Sequence, residues 1–275
     1  MHVNVVRRAG AARTQNPMNA MANLVDSLRA RGVGVVRLPK RHALALQRVH
    51  RLGYRFFKNS SLQLKQSCRR STTIPALGAA AVMIGHYQPS DAKELLRTFD
   101  EIPHALPRPL RVAMGEARSI LNELLLGCMV ACCQAAGHPV SRRSLRLACR
   151  SCCPLDLFFY HNRSSVPNCS PHVDRGFLHA IVASPVSGLE VLSNDSQGDC
   201  WRAPHELWPD IEPHAHVIIL ANDTLARLSR GWDGGEEDDG WRCEACVHRV
   251  VNERTPRLSI SYELRPSRFS HWAYL

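Results

Sequence analysis

The sequence predicts a fold that is mainly β, with a helical first half and a sheet-rich second half. After HPVSRRS at residues 138–144, six short runs are rich in β-branched and aromatic residues: LDLFFY, LHAIVAS, GLEVLS, HVIILA, VHRVVN and RLSISYEL. Pro, Gly, Asn and Asp separate the runs, which is typical of strands joined by turns. Because no helical pattern lies between them, they indicate an antiparallel sandwich or jelly roll.

Apolar residues at helical spacing predict three helices in the first half. The first runs from Met18 to Arg31, where Gly32 and Gly34 end it, and the short strand VGVVRL follows. The second carries one apolar face made of Leu46, Val49, Leu52 and Phe56. The third begins after Pro109, and its predicted buried face is Ala113, Ala117, Ile120, Leu124, Cys128 and Ala131.

Length and composition fit a protein with a full hydrophobic core. The chain has 275 residues, of which 45% are hydrophobic, enough for one large domain with a smaller helical part. We expect a basic tail over residues 1–17, a helical region over 18–145 and a sheet domain over 146–275. The acidic stretch GWDGGEEDDG at 231–240 is expected to form a solvated loop between two strands.

Cysteine usage predicts a reducing compartment. The 11 cysteines are an odd number without the even spacing of a disulfide framework, and no secretory signal peptide is recognisable. We expect a cytoplasmic protein. The first 15 residues carry Arg7, Arg8 and Arg13 and no acidic residue, so a mitochondrial transit peptide is the alternative.

Charge and hydropathy favour a small-molecule partner over nucleic acid or membrane. The net charge of +11 would suit a polyanion, but arginine is spread along the chain without a basic stripe that alternates with aromatic residues. The longest apolar runs, IPALGAAAVMIG and LLLGCMVACC, are too short to cross a bilayer.

Two histidines and one aspartate on predicted strands suggest a metal site. His172 and Asp174 are two residues apart, so on a strand their side chains point to the same face. His248 offers a third ligand, and two imidazoles with one carboxylate form the facial arrangement that holds ferrous iron with open positions. Further along, Arg257 and Ser259 share a strand face and suit a carboxylate ligand.

Other interpretations of the same residue types stay open. His248 alone could be a core histidine. His214 and His216 form a rival pair on one face, and Cys243, Cys246 and His248 have partial zinc-ligand spacing. The order of His-x-Asp, distal His and Arg-x-Ser on successive strands favours the iron site over these alternatives.

The second half resembles the iron(II)- and 2-oxoglutarate-dependent dioxygenases, in the branch that is similar to isopenicillin N synthase. The matching segments are PHVDRGFLHAIVASPVSGLEVL, NDTLARLSRG and CVHRVVNERTPRLSISYELRP, with softer matches in LRARGVGVVRL, RFFKNSSLQLKQS and DAKELLRTFD. The resemblance implies a double-stranded β-helix core, or jelly roll, with a helical amino-terminal extension. It also implies Fe(II), 2-oxoglutarate as co-substrate, and O2.

The resemblance assigns roles to individual residues. His172, Asp174 and His248 match the iron ligands. Arg257 and Ser259 match the pair that binds the far carboxylate of 2-oxoglutarate, and Tyr160 matches a tyrosine that binds the same group. For the substrate pocket we name Tyr87, Phe177, His179 and Glu263.

The chain departs from the family pattern at a few positions. Phe158 stands where an asparagine is frequent, Leu220 and Asn222 replace Asn and Gly before DTL, and His179 replaces a small or hydroxylic residue.

The implied function is oxidation of a small organic substrate by hydroxylation, desaturation or ring closure, with release of succinate and CO2. One alternative is a non-catalytic binding or scaffold protein on the same fold, although the metal triad and the Arg-x-Ser pair are intact. The other is a nucleic-acid alkylation-repair dioxygenase, against which Glu263 stands where that branch carries a further arginine.

Overall fold

The first half of the chain combines long helices with four strands. The computed structural model describes residues 17–78, 81–163, 167–195, 198–231 and 241–268, so the basic tail up to residue 16 and the acidic stretch 232–240 lie outside the described residues. The helices are α1 (Pro17–Arg31), α2 (Lys40–Asn59), α3 (Leu62–Ser67), α4 (Arg108–Ala135) and α5 (Arg142–Ala148). The strands are β1 (Val33–Arg37), β2 (Arg70–Thr73), β3 (Ala81–Ser90) and β4 (Lys93–Thr98), with a 3-10 turn at Pro75–Leu77.

The second half is dominated by strands, as the sequence predicts. They are β5 (Leu155–Tyr160), β6 (Cys169–His172), β7 (Leu178–Val182), β8 (Leu189–Asp195), β9 (Gly198–Arg202), β10 (His216–Ala221), β11 (His248–Val250) and β12 (Arg257–Leu264). Two short helices, α6 (Pro204–Leu207) and α7 (Asp223–Gly231), connect them.

The strands form two antiparallel sheets in a jelly-roll arrangement. The large sheet has the order β1-β10-β7-β12-β5-β4-β3-β2, and the small sheet has the order β6-β11-β8-β9. Strands β1 to β4 come from the first half yet pair into the large sheet, with β1 on β10 and β4 on β5. The double-stranded β-helix with a helical amino-terminal region is therefore confirmed, and the sequence missed β2 to β4 and β9. The strand predicted to carry His172 and Asp174 is present as β6, but it ends at His172.

Helices α2 and α4 cover the outer face of the large sheet. The apolar side chains of β12 point toward them and join the main core: Leu258, Ile260, Tyr262 and Leu264. Along α4 the fully buried positions include Met114, Leu121, Leu125 and Cys132. Ile120, Leu124 and Ala131, predicted for this face, are only half-buried, because the helix is rotated toward the 114–121–125–132 side.

None of the described helices has the length and apolar character needed to cross a membrane.

A buried carboxylate, that of Glu94, connects α3 to the strands that the first half of the chain contributes to the large sheet. Glu94 on β4 accepts hydrogen bonds from Lys65 Nζ at 2.7 Å and His86 Nε2 at 2.6 Å, and His161 Nε2 lies 3.3 Å away. Burial disfavours the charged form of Glu94, but the contacts with His86 and Lys65 outweigh it and lower the pKa of Glu94 to about 2. This cluster connects strands β3 and β4 and the end of β5 through one ionised group.

We expect Glu94→Gln to lower stability at neutral pH by about 2 kcal/mol and to reduce its acid sensitivity. The Glu94 pKa is depressed on folding, so the stabilisation is present above the ordinary pKa of 4.5 and disappears as pH falls toward 2. Urea unfolding of both proteins across this pH range measures the difference. Glu116→Gln, at an exposed position of α4, is the control. A difference between wild type and Glu94→Gln that stays constant with pH would contradict the assignment.

Candidate active site

Strands β6 and β11 bring the predicted triad together. His172 and His248 are directly paired across the small sheet, with ring centroids 4.3 Å apart. Asp174 follows β6, and its oxygens lie 3.5 Å from His172 Nε2 and 3.3 Å from His248 Nε2. One ligand atom from each of the three residues lies within 4.8 Å of the others, which is the proximity a single cation requires.

Backbone carbonyls fix which nitrogen each histidine offers. His172 Nδ1 is 2.8 Å from the carbonyl oxygen of Ser170, and His248 Nδ1 is 3.2 Å from that of Cys246. A carbonyl only accepts, so each Nδ1 carries a proton and donates it, and Nε2 on the Asp174 side is the atom that can bind a metal once its own proton is lost. The donor set of two Nε2 atoms and one carboxylate fits ferrous iron.

A third histidine holds Asp174 in place. His179 Nδ1 is 2.5 Å from Asp174 Oδ2. Burial opposes ionisation of Asp174, but the imidazoles of His179, His172 and His248 lower its pKa well below the ordinary value. The carboxylate is therefore charged and oriented. His179, which the sequence assigned to the substrate pocket, lines the cavity and also contacts the triad.

The loop after Asp174 is held by the start of helix α7. The backbone amides of Asp223 and Thr224 donate to the carbonyls of Asp174 and Gly176, and Asn222 Nδ2 donates to the Arg175 carbonyl at 2.8 Å. Gly176 has a φ of +96°, and a Cβ there would meet the Leu264 carbonyl at 2.8 Å. Asn222, a departure from the family pattern, thus supports the metal loop. The sequence analysis missed this role, for which the helix-start signal NDT was available.

Arg257 is a buried cation that faces the same cavity. It is 3% exposed, and its Nε donates to the Val186 carbonyl at 3.2 Å. Among the described residues its Nη1 is buried without a hydrogen-bond partner. Burial lowers the pKa of Arg257, and the nearby Tyr160 and Glu253 offset this effect only in part. A buried guanidinium without a counter-ion is costly unless an anionic ligand completes it.

Ser259 and Tyr160 lie beside Arg257. Ser259 is two residues along β12 on the same face, and Tyr160 is paired with Arg257 across to β5. The guanidinium carbon of Arg257 lies 5.5 Å from the Tyr160 ring centroid. Burial raises the pKa of Tyr160, so its hydroxyl keeps its proton and can donate. All three residues and the triad line one cavity of about 190 Å³.

The structure divides the four residues predicted for the substrate pocket. His179 and Glu263 line the cavity. Phe177 does not: it is fully buried in the main hydrophobic core, because the apolar face of the sheet packs toward the helices. Tyr87 is not among the lining residues either. It lies opposite Leu95 on β3, one strand further from β5 than the cavity-lining residues Lys93 and Arg97 of β4.

The rival ligand groups lack the required geometry. His216 Nδ1 accepts from the Glu212 amide and the His214 ring packs on His50, so each has a structural role. Cys243 and Cys246 belong to separate apolar clusters. A second group of Asp174, His179 and Glu263 is compact enough for a cation, but Arg265 already pairs with Glu263 and would repel one.

Comparisons with known proteins agree with this geometry. Residues 146–266 match the sequence model of the 2OG-Fe(II) oxygenase superfamily. No curated protein sequence matches the chain.

Solved structures share the fold at low sequence identity. Dioxygenase for auxin oxidation 1 from Arabidopsis thaliana, in complex with 2-oxoglutarate, has a TM-score of 0.68 at 17% identity, covering 91% of this chain and 89% of that one. The rice dioxygenase for auxin oxidation has a TM-score of 0.66 at 18% identity, covering 90% and 78%. A full-length Neurospora crassa protein in complex with alpha-KG and 5-formyluracil has a TM-score of 0.68 at 20% identity, covering 92% and 80%.

The match over the sheet domain, the shared fold and the His-Asp-His cluster lead to one conclusion. The sheet domain of the chain, residues 146–266, matches the 2OG-Fe(II) oxygenase superfamily, whose members use Fe(II), 2-oxoglutarate and O2, and it carries a His-Asp-His group that can hold the iron.

Proposed function

We propose that the protein oxidises a small organic molecule by hydroxylation, desaturation or ring closure, with release of succinate and CO2. His172, Asp174 and His248 hold the iron, and Arg257, Ser259 and Tyr160 hold 2-oxoglutarate. The observation that carries this proposal is one cavity lined by both a compact His-Asp-His group and a buried arginine that has no ion pair with any described residue and whose Nη1 has no hydrogen-bond partner among them.

The triad supplies the metal and leaves room beside it. The bound iron would supply O2 activation at its open coordination positions. The protein holds the two Nε2 atoms and the Asp174 carboxylate in place through the carbonyls of Ser170 and Cys246 and through His179. Because these bonds already hold the three ligand side chains, the side chains lose little conformational freedom when they bind a metal.

The arginine end of the cavity suits the far carboxylate of the co-substrate. Arg257 offers its unpartnered Nη1, and the Ser259 and Tyr160 hydroxyls flank it on adjacent strand positions. Ile181, Leu189 and Val250 add apolar surface to the cavity wall. Apolar surroundings strengthen the charge interaction and keep water away from the reacting groups.

We also propose a reducing, cytoplasmic location. All 11 cysteines are free thiols in the structure, as expected of a protein that is not stabilised by disulfides.

The first prediction concerns metal binding. Protein purified without oxygen should bind about one Fe(II), and His172→Ala or Asp174→Ala should abolish binding, because two ligands cannot hold the ion in competition with water. His214→Ala removes an imidazole from the rival pair and should bind iron like wild type. Metal content after gel filtration is the measurement, with circular dichroism to confirm folding. Full iron content in both triad variants would contradict the assignment.

The second prediction concerns the co-substrate. Arg257→Leu should weaken 2-oxoglutarate binding by well over tenfold and leave iron in place, because a desolvated charge pair contributes about 2–5 kcal/mol. Arg257→Lys, which keeps the charge but loses the fork, should be intermediate. Arg254→Leu, at an exposed position nearby, is the control. Calorimetry on anaerobic iron-loaded protein gives the affinities, and equal affinity in Arg257→Leu and wild type would argue against this co-substrate site.

The third prediction separates an enzyme from a binding protein. With Fe(II), 2-oxoglutarate, ascorbate and air, slow succinate release should occur without added substrate and should be lost in His248→Ala. A metabolite extract that contains the substrate should stimulate it. No succinate from folded, iron-loaded protein, with or without extract, would favour the binding-protein alternative, and stimulation by methylated oligonucleotide alone would favour nucleic-acid repair.

A further inference from the structure

Three cationic side chains line the cavity in addition to Arg257. They are Lys93 and Arg97 on β4 and Arg265 just after β12. Lys93 and Arg97 are four residues apart on one strand, so they share a face, and they are paired with Tyr160 and Asp156 of β5. The large sheet therefore presents cations on both sides of β5, on β4 and at the end of β12, outside the positions proposed to hold iron and 2-oxoglutarate.

Arg97 and Arg265 are each bound by a carboxylate that is more deeply buried than the guanidinium group. Arg97 Nε and Nη2 bind Asp156 at 2.8 and 2.5 Å, and Arg265 binds Glu263 through the same two nitrogens. The Asp156 and Glu263 side chains are 2% and 7% exposed, whereas the two guanidinium side chains are 22% and 23% exposed. Among the described residues, neither Nη1 has a hydrogen-bond partner. A ligand in the cavity therefore meets the guanidinium groups more readily than the carboxylates.

Lys93 carries a charge that no described carboxylate balances. Its Nζ lies 6.0 Å from the Phe158 ring centroid, and it forms no ion pair with any residue in the described part of the chain. Lys58 on α2 makes the same kind of contact with Phe159, at 5.8 Å, but Phe159 belongs to the main core. Lys58 is thus a chemically matched lysine on the opposite face of the sheet.

A buried imidazole nitrogen also lacks a partner. His179 is 6% exposed, and its Nε2 has no hydrogen-bond partner among the described residues. A ring nitrogen of His179 lies within 4.8 Å of carboxylate oxygens of Asp174 and Glu263, which places this residue between the metal group and the Arg265 end. An orphaned polar atom at this point indicates a polar occupant rather than an apolar one.

With the histidines counted as neutral, the charged groups of the cavity add up to a single positive excess. Fe(II), Asp174, Arg257 and doubly charged 2-oxoglutarate sum to zero. Lys93, Arg97 and Arg265 then face Asp156 and Glu263, three positive against two negative groups. The missing charge is that of one monoanion.

We propose that the substrate is a small organic acid whose carboxylate is bound by Lys93, Arg97 and Arg265. This inference rests on the proposed function, because it takes the iron and 2-oxoglutarate positions as occupied. A planar carboxylate matches the free edge of a guanidinium and supplies one negative charge. A phosphate ester would bring two charges near neutral pH.

The test uses protein loaded with Mn(II) and N-oxalylglycine, an unreactive analogue of 2-oxoglutarate that occupies Arg257. Acetate, propionate, benzoate and phenylacetate are each titrated by calorimetry beside the corresponding primary amide. At least one acid should bind saturably and about tenfold or more tightly than its amide, because only the acid forms charge-assisted hydrogen bonds. Inorganic phosphate is titrated in parallel.

Lysine variants locate the binding site. Lys93→Gln removes an unpaired, half-buried charge without leaving a buried carboxylate alone, and it should weaken binding of the acid by about fivefold or more with no change for the amide. Lys93→Arg should retain the preference for the acid, and Lys58→Gln should behave like wild type.

Several outcomes would overturn the proposal. They are equal affinity for every acid and its amide, no saturable binding of any acid, tighter binding of phosphate than of all four acids, or the same effect from Lys93→Gln as from Lys58→Gln. Failure of the proposed function would be visible earlier. In that case Mn(II) and N-oxalylglycine would not bind, and water proton relaxation would show no enhancement by bound Mn(II).

Discussion

Strand β12 is buried along its entire length, and this constraint shapes the rest of the molecule. Its apolar side chains pack toward α2 and α4, while Arg257, Ser259, Ser261 and Glu263 point the other way and are each at most 5% exposed. Four polar groups in one buried row are unfavourable unless partners face them. The cavity between this row and the small sheet can hold ligands that face the polar groups. On the neighbouring strands β5 and β7, Tyr160, Asp156 and His179 lie beside the row.

The arginines around the core and the cavity differ in how many of their guanidinium nitrogens are hydrogen-bonded and to which groups. Arg118 has a structural role, since it donates to the carbonyls of Cys153 and Thr98 and lies near Asp100. Arg97 and Arg265 are fixed by carboxylates but keep one edge at the cavity. Arg257 donates to a single carbonyl. Arg118 Nε also lacks a hydrogen-bond partner among the described residues, so Arg257 differs from Arg118 in having fewer bonded guanidinium nitrogens and in lining the cavity of the site.

Much of the site could be predicted because strand periodicity fixes which residues share a face. Arg257 and Ser259 need only the two-residue repeat of a strand, whereas Asp174 lies just beyond β6, in the loop that the start of α7 holds. Positions that depend on pairing between distant strands were harder. Phe177 adjoins the metal loop in sequence but packs into the core, and Lys93 and Arg97 reach the cavity only because β4 pairs with β5. Their segment, DAKELLRTFD, was identified only by a weak resemblance to the family. Strand β4, which places the two side chains on one face, was not predicted.

The face of α4 was misjudged for a related reason. Apolar residues surround much of this helix, so Ile120 and Leu124 were as plausible for the core as Leu121 and Leu125. Packing against β12 and α2 decides which set is buried. Because this helix has no distinct polar face, its sequence pattern cannot show which apolar side faces the core.

The ligand cage around the iron position is held by hydrogen bonds that do not involve the metal. Carbonyl oxygens orient both histidines, His179 orients Asp174, and the first amides of α7 hold the loop around Gly176. A cage of this kind offers the same nitrogen and oxygen atoms to every divalent ion of suitable size. Copper and zinc bind such donors more tightly than ferrous iron does. Correct loading therefore depends on which metals the cell makes available to the protein, and mismetallation is an intrinsic liability of so rigid a site.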